Sequence, residues 1–322
     1  MVLINDIDGF FPEEKGINRP AKNINDIING LRLLHDKTKS KDFDALVITN
    51  YLFTNIASEA VRKRKATARE FEDFLAFFLN GVVTDEKIRA NANINLGNPS
   101  GDQEIDRYVI SNRREKGDVE FNGYKISVKT LVPSNLEMNW GSFAKEALFK
   151  GILEKTEYGS ERKGGLGSGP QLIKNIFNPI IKKGIWEKFK SRFSFMINEI
   201  FKDDYIIFIK GGNYFEIFVI PNEKIREIFK KHINKDPHYL TKVFYRYEGH
   251  CIRGPIKPFI KEGKMVRINV SDCDFNYLKI MDSTIKEIEK ILSKAVKKEI
   301  NANDLIKEIV KIIEEFIGKI YC

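Results

Sequence analysis

The stretch from Asp118 to Lys129, DVEFNGYKISVK, constrains the fold more than any other part of the chain, because its pairing can be written out from the residues alone. Asn122-Gly123 suits a two-residue type I′ turn, which needs positive φ at both central positions. With that turn, Phe121 pairs with Tyr124, Glu120 with Lys125, Val119 with Ile126, and Asp118 with Ser127. Side chains alternate along each strand, so Val119, Phe121, Tyr124, Ile126 and Val128 share an apolar face. Asp118, Glu120, Lys125, Ser127 and Lys129 share the other, and Asp118 lies diagonal to Lys129, within side-chain reach.

A carboxylate and an amine beside a phosphodiester are the parts of a metal-dependent nuclease. The acid holds a hard divalent cation, the cation polarises the phosphate and acidifies a water, and the lysine orients that water. The plainer alternative is an ordinary amphipathic hairpin, in which Glu120 and Lys125 form a solvated cross-strand pair and Asp118 is merely polar.

The hairpin resembles the centre of the PD-(D/E)xK nucleases, in which an Asp opens one strand and an acid-x-Lys sits on the next. Gly117 stands at the motif's proline and Ser127-Val128-Lys129 at its (D/E)xK. The Ser-x-Lys form is similar to the variant of some type II restriction endonucleases, in which a glutamate on the following helix supplies the missing acid. Residues 142–150, SFAKEALFK, read as that helix with Ser142 as N-cap. Glu146 is then the candidate acid, and Glu137, nearer in sequence but in a loop, is the other. Residues 67–79 read as an earlier helix with an apolar stripe of Phe71, Phe74, Leu75, Phe78 and Leu79. Thr67 and Glu70 fit a capping box there. Ala68, Glu72 and Leu75 are similar to the spacing of the family's first helix, with a solvated glutamate as the alternative for Glu72.

The order helix 66–80, strand near 107–112, hairpin 117–131, helix 142–150 and strands 205–210 and 214–221 is similar to the family's α-β-β-β-α-β progression. The resemblance implies an α/β fold with a restriction-endonuclease-like core, a mixed sheet flanked by helices over residues 66–221. A helical region, 1–65, precedes it, and an α+β region, 222–322, follows, available for DNA recognition and dimerisation. The implied cofactor is Mg²⁺, with Mn²⁺ as a substitute. Asp118, Glu146 and the backbone carbonyl of Val128 would ligate it. Lys129 would hold the attacking water, Glu72 would assist, and Ser127 would occupy the place of the missing acid. The implied activity is sequence-specific hydrolysis of double-stranded DNA leaving 5′-phosphates, by a homodimer whose genetic partner is a cognate DNA methyltransferase. The alternatives are a repair or recombination nuclease of the same fold and a non-catalytic DNA-binding protein.

Composition agrees with a folded DNA-binding chain. Of 322 residues, 42% are hydrophobic and 31% charged, and the net charge is +9, which suits a polyanion. Three clusters are candidate phosphate contacts or solvated surface: Arg62-Lys63-Arg64, Arg113-Arg114, and Arg162-Lys163 in the glycine-rich stretch 158–170. Tyr245, Arg246, Tyr247, Arg253 and Lys257 form a further basic and aromatic group. The N-terminus lacks the order of a signal peptide, no apolar run approaches ~18 residues, and three scattered cysteines argue against a disulfide framework. The expected location is therefore cytoplasmic. Further helices are expected over 25–37, 43–65 and 171–200, the last broken at Asn178-Pro179, and strands over 240–247 and 265–270. A last helix, 305–320, is apolar over a wide arc and packs either on its own domain or on a second subunit.

Overall fold

The computed structural model describes residues 21–42, 45–46, 48–49, 52, 66–84, 99–103, 105–107, 117–131, 135–142, 145–158, 167–248, 251–269, 275–297 and 299–321. Its strands are Val82–Val83 (β1), Val119–Phe121 (β2), Tyr124–Leu131 (β3), Glu137–Ser142 (β4), Asp204–Lys210 (β5), Tyr214–Ile220 (β6), Arg246–Glu248 (β7), Cys251–Pro255 (β8) and Lys264–Asn269 (β9). Six of them form one mixed sheet in the order β1-β2-β3-β5-β6-β9, and the other three form a small antiparallel sheet, β4-β8-β7. Within the large sheet β3 and β5 run parallel and every other neighbouring pair is antiparallel.

The β2–β3 hairpin has the register read from the sequence, Val119 opposite Ile126, Glu120 opposite Lys125 and Phe121 opposite Tyr124. Asn122 and Gly123 both take positive φ, 47° and 74°, as the turn requires. The Asn122 side-chain amide donates to the Ala21 carbonyl at 2.8 Å and ties the hairpin tip to the chain before the first helix. The expected pairing fails at one place. β2 begins at Val119, and the Asp118 amide donates to the Ile126 carbonyl at 2.8 Å, although Ile126 already lies opposite Val119. The strand steps out of register there as at a β-bulge, so Asp118 does not sit squarely opposite Ser127.

β5 is buried on both faces, as its unbroken apolar run Tyr205–Ile209 requires. Ile206 and Phe208 join a core with Val119, Phe121, Ile126 and Val128, beneath the helices Ile24–Lys39 (α1) and Ala66–Phe78 (α2). Asn23 caps α1 by accepting from the amides of Asn25 and Asp26. The Phe71 ring of α2 lies 4.8 Å from that of Phe208. On the other face, Tyr205, Ile207 and Ile209 meet the helices Lys145–Phe149 (α3), Trp186–Ile200 (α4) and Asn222–Ile233 (α5). Trp140 of β4 sits in this second core, 4.0 Å from Phe259 and 5.9 Å from Tyr205 between ring centroids. The chain is thus a mixed α/β fold with a six-stranded sheet flanked by helices. No helix of the described residues is long and apolar enough to cross a membrane.

Several expected boundaries move. Residues 137–142 form β4, so Ser142 ends a strand and the helix starts only at Lys145. Arg107 is helical, and 108–112 lie outside the described residues. Of 43–65, only 45, 46, 48, 49 and 52 are described; all five are helical and buried. Pro179 does not break the helix. It has no N–H to offer the Asn175 carbonyl, and the turn before it widens to a π-helix over Ile173–Phe177, in which the Asn178 amide reaches the Ile173 carbonyl. The break comes at Gly184, where φ is 67°. Residues Pro237–Leu240 are a short helix capped by Asp236, so the strand expected from 240 begins at Arg246.

Candidate active site

Asp118 is held at several points around the end of β2. Its amide donates to Ile126, its carbonyl accepts from the Thr84 amide at 2.9 Å, and its Oδ2 accepts from the Val128 amide at 2.7 Å and from Ser127 Oγ at 3.2 Å. Lys129 Nζ lies 3.5 Å from the same oxygen. The acid is 7% exposed, while the lysine side chain is 29% exposed, so the ammonium forms the solvent side of the pair.

The position follows from the sheet. Ile126 faces β2 with its backbone polar groups, and Val128, two residues on, faces the same way. β2 has ended by then. The Asp118 carboxylate takes the place of a strand partner for the Val128 N–H, and the Val128 carbonyl points to the same edge. Hydrogen bonds to a charged acceptor are the stronger kind, about 1.5–3 kcal/mol each.

Tyr205 completes the arrangement and was not expected. The parallel register sets it opposite Ser127, within hydrogen-bonding reach of the hydroxyl and fully inside the second core. Burial holds its phenol neutral far above the ordinary range, with the charges of Asp203 and Asp118 acting the same way. No hairpin turn fixes a parallel register, so nothing local to Ser127 in the sequence points to this residue.

Glu72 sits half-buried on α2, whose apolar side covers the face opposite Ser127 and Lys129. Glu146 lies in α3, on the face that carries Ser127; its side chain is outside the described residues. Glu137 is on a strand, and Arg246 holds it in a bidentate pair, Nε to Oε1 at 2.6 Å and NH2 to Oε2 at 2.8 Å. Glu120 and Lys125 make the expected cross-strand pair at 3.8 Å. Arg62, Lys63, Arg64, Arg113, Arg114, Arg162 and Lys163 lie outside the described residues. Tyr247 is fully buried, so it is core rather than a surface contact, and Arg246 is committed to Glu137.

A second carboxyl missed in the sequence, Asp204, opens β5 and accepts at one oxygen from the Asn222 amide at 2.6 Å and the Asn222 side chain at 2.9 Å. Burial raises its pKa.

Among the described residues no three His, Cys, Asp or Glu side chains gather as a metal cluster. At the end of β2 the Asp118 carboxylate, the neighbouring Ser127 hydroxyl and the Val128 carbonyl on the same strand edge offer oxygen atoms. That set fits a small hard cation that keeps most of its waters, as Mg²⁺ does when it is shared with a phosphate. Comparison with known protein families, with curated proteins and with solved structures found no match to this chain.

Proposed function

We propose that the chain is a Mg²⁺-dependent endodeoxyribonuclease, a type II restriction enzyme on a restriction-endonuclease-like core, with double-stranded DNA as substrate. The observation that carries this reading is the convergence of Asp118, the Val128 backbone and Lys129 at the point where β2 ends. Asp118 and the Val128 carbonyl hold the cation, Mg²⁺ or Mn²⁺, with Glu146 as the third donor from α3. The bound cation supplies positive charge to the scissile phosphate and makes a water acidic enough to attack at neutral pH. Lys129, kept within reach by its pairing with Asp118, orients the attacking water and faces the charge that develops on the phosphate. Ser127 fills the place of the absent acid and gives its hydrogen to Asp118 Oδ2. Glu72 assists from α2. Attack of water on phosphorus breaks the bond to the 3′ oxygen and leaves a 5′-phosphate and a 3′-hydroxyl. A cognate methyltransferase is the genetic partner this reading requires.

The test is incubation of phage-sized DNA with the protein and Mg²⁺, beside Asp118→Asn and Lys129→Met. Discrete bands from the wild type alone support the restriction reading, and a smear supports a repair or recombination nuclease of the same fold. A second reading, a DNA-binding protein whose acid is inert, is favoured by the ties that commit one Asp118 oxygen to the Val128 amide, the Ser127 hydroxyl and Lys129. DNA bound but uncut in both Mg²⁺ and Mn²⁺ would establish it.

A further inference from the structure

The helices Phe275–Val296 (α6) and Ala302–Tyr321 (α7) pack on each other, joined by residues 297–301, and none of their described side chains belongs to either core. A two-helix hairpin needs one apolar seam on each helix. On α7 that seam is Leu305, Ile309, Ile312 and Phe316, half-buried and spaced by four, three and four residues. Thr284, Ile288, Ile291 and Ala295 repeat the spacing on α6.

A second seam of the same spacing follows one residue later on α7. Ile306, Val310, Ile313 and Ile317 are 60%, 45%, 42% and 48% exposed. Ile285, Glu289, Leu292 and Val296 stand one residue past the α6 seam; Glu289 is exposed, and Leu292 and Val296 are 44% and 84% exposed. In an antiparallel pair of right-handed helices, a step of +1 from the facing seam turns both helices toward the same side. The two second seams therefore form one surface, apolar along α7 and apolar along α6 except at Glu289. Each helix is roughly 30 Å long at 1.5 Å per residue, and a hairpin two helices wide offers about 600 Å² per copy. Two copies bury about 1,200 Å², the lower end for a stable specific interface.

We propose that this surface docks on the same surface of a second copy of this chain, the two α7 helices lying antiparallel about a two-fold axis. The register centred between Val310 and Ile313 sets Ile306 against the partner's Ile317 and Val310 against the partner's Ile313. It also sets Lys307, which borders the seam, beside the partner's Glu314, and the two-fold repeats the pair. Both are exposed, and neither makes an ion pair within the chain among the described residues. Opposite charges thus meet at both ends of the outer flank of the α7 seam, which favours a copy of this chain over an unrelated apolar partner. The inference is independent of the nuclease reading.

Sedimentation velocity on the full-length chain tests it without any cleavage readout. The wild type is expected at twice 37.2 kDa. The double variant Val310→Asp, Ile313→Asp is expected to be monomeric with an unchanged circular dichroism spectrum, since both side chains are exposed. Lys307→Glu should weaken the dimer about tenfold by placing like charges together twice, and Lys307→Glu with Glu314→Lys should restore it. A wild-type monomer at micromolar concentration overturns the proposal. So does a dimer that ignores the aspartates, or one that the charge swap fails to recover.

Discussion

Lys129 Nζ reaches to 3.5 Å from the Asp118 oxygen that also accepts the Val128 amide, so one carboxylate oxygen gathers a cation and a backbone donor from adjacent residues of β3. The lysine is partly exposed and its removal leaves that backbone bond in place. Lys129→Met should therefore fold and bind DNA like the wild type while cleavage slows by about 10²–10⁴-fold. Binding measured in Ca²⁺ and cleavage in Mg²⁺ separate the two. A variant that cuts at the wild-type rate would remove Lys129 from the chemistry.

Asp118 is a strut as well as a candidate ligand, and two substitutions divide those roles. Asp118→Ala leaves the Val128 amide without its acceptor and should cost about 1–3 kcal/mol in urea unfolding. Asp118→Asn keeps an oxygen for that amide and should cost less. Both should abolish Mg²⁺-dependent cutting. Equal stabilities for the two variants would mean that the carboxylate does not close the ladder.

Ser127 is 1% exposed and lies between Asp118 and Tyr205. Ser127→Asp would put a second carboxylate against the first, away from water. Without divalent cations it should destabilise the fold by about 3 kcal/mol at neutral pH. Burial and the like charge would raise the new acid's folded pKa above its unfolded value. The penalty should therefore grow as pH rises between those values and fade in acid. Mg²⁺ or Mn²⁺ should restore much of the lost stability by occupying the paired acids. Thermal melts with and without Mn²⁺ measure this, and a deficit that Mn²⁺ leaves untouched would argue against a cation at this place.

Asp204 has its carboxyl raised chiefly by burial and further by Glu223, against the hydrogen bonds from Asn222. Between the ordinary Asp value and the raised one, the native state binds more protons than the unfolded chain. Stability therefore falls as pH rises through that window and stays lower above it. Asp204→Asn keeps an oxygen for Asn222 and carries no charge. It should melt higher than the wild type at pH 7, and the difference should vanish in acid. A lower melting point at pH 7 would show that the charged form is favoured by its hydrogen bonds.

Gly254 lies in β8, where a Cβ would fall on the Val243 carbonyl oxygen. That is rigid backbone, so Gly254→Ala should cost about 3 kcal/mol. Because Trp140 and the small sheet pack onto β5, the loss should appear in global unfolding rather than as local fraying. A neutral variant would show that this sheet can shift.

The hairpin was legible because a two-residue turn sets its register and alternation sets its faces. The bulge at Asp118 was not, since it depends on where β2 ends, and that end is fixed by neighbours distant in sequence. β5 and β6 were visible as apolar runs, but the parallel register that brings Tyr205 to Ser127 has no local signal. β4 alternates only over Glu137–Trp140 before it becomes irregular between Asn139 and Ser142, too short a run to read as a strand, and its pairing partners lie more than a hundred residues away. Glu137 reads as a spare acid in the sequence, and only the fold shows it bonded to Arg246. Pro179 looked like a stop, yet the wider turn before it absorbs the missing N–H.

The bond from the Val128 amide to Asp118 turns a backbone proton into an observer of the carboxylate. In an amide NMR spectrum its resonance should move when Asp118 exchanges its partner or takes up a cation, while the amides of the β5–β6 ladder stay still. A titration with Mg²⁺ followed at that one signal would report occupancy of the acid directly, with no DNA present and no bond cut.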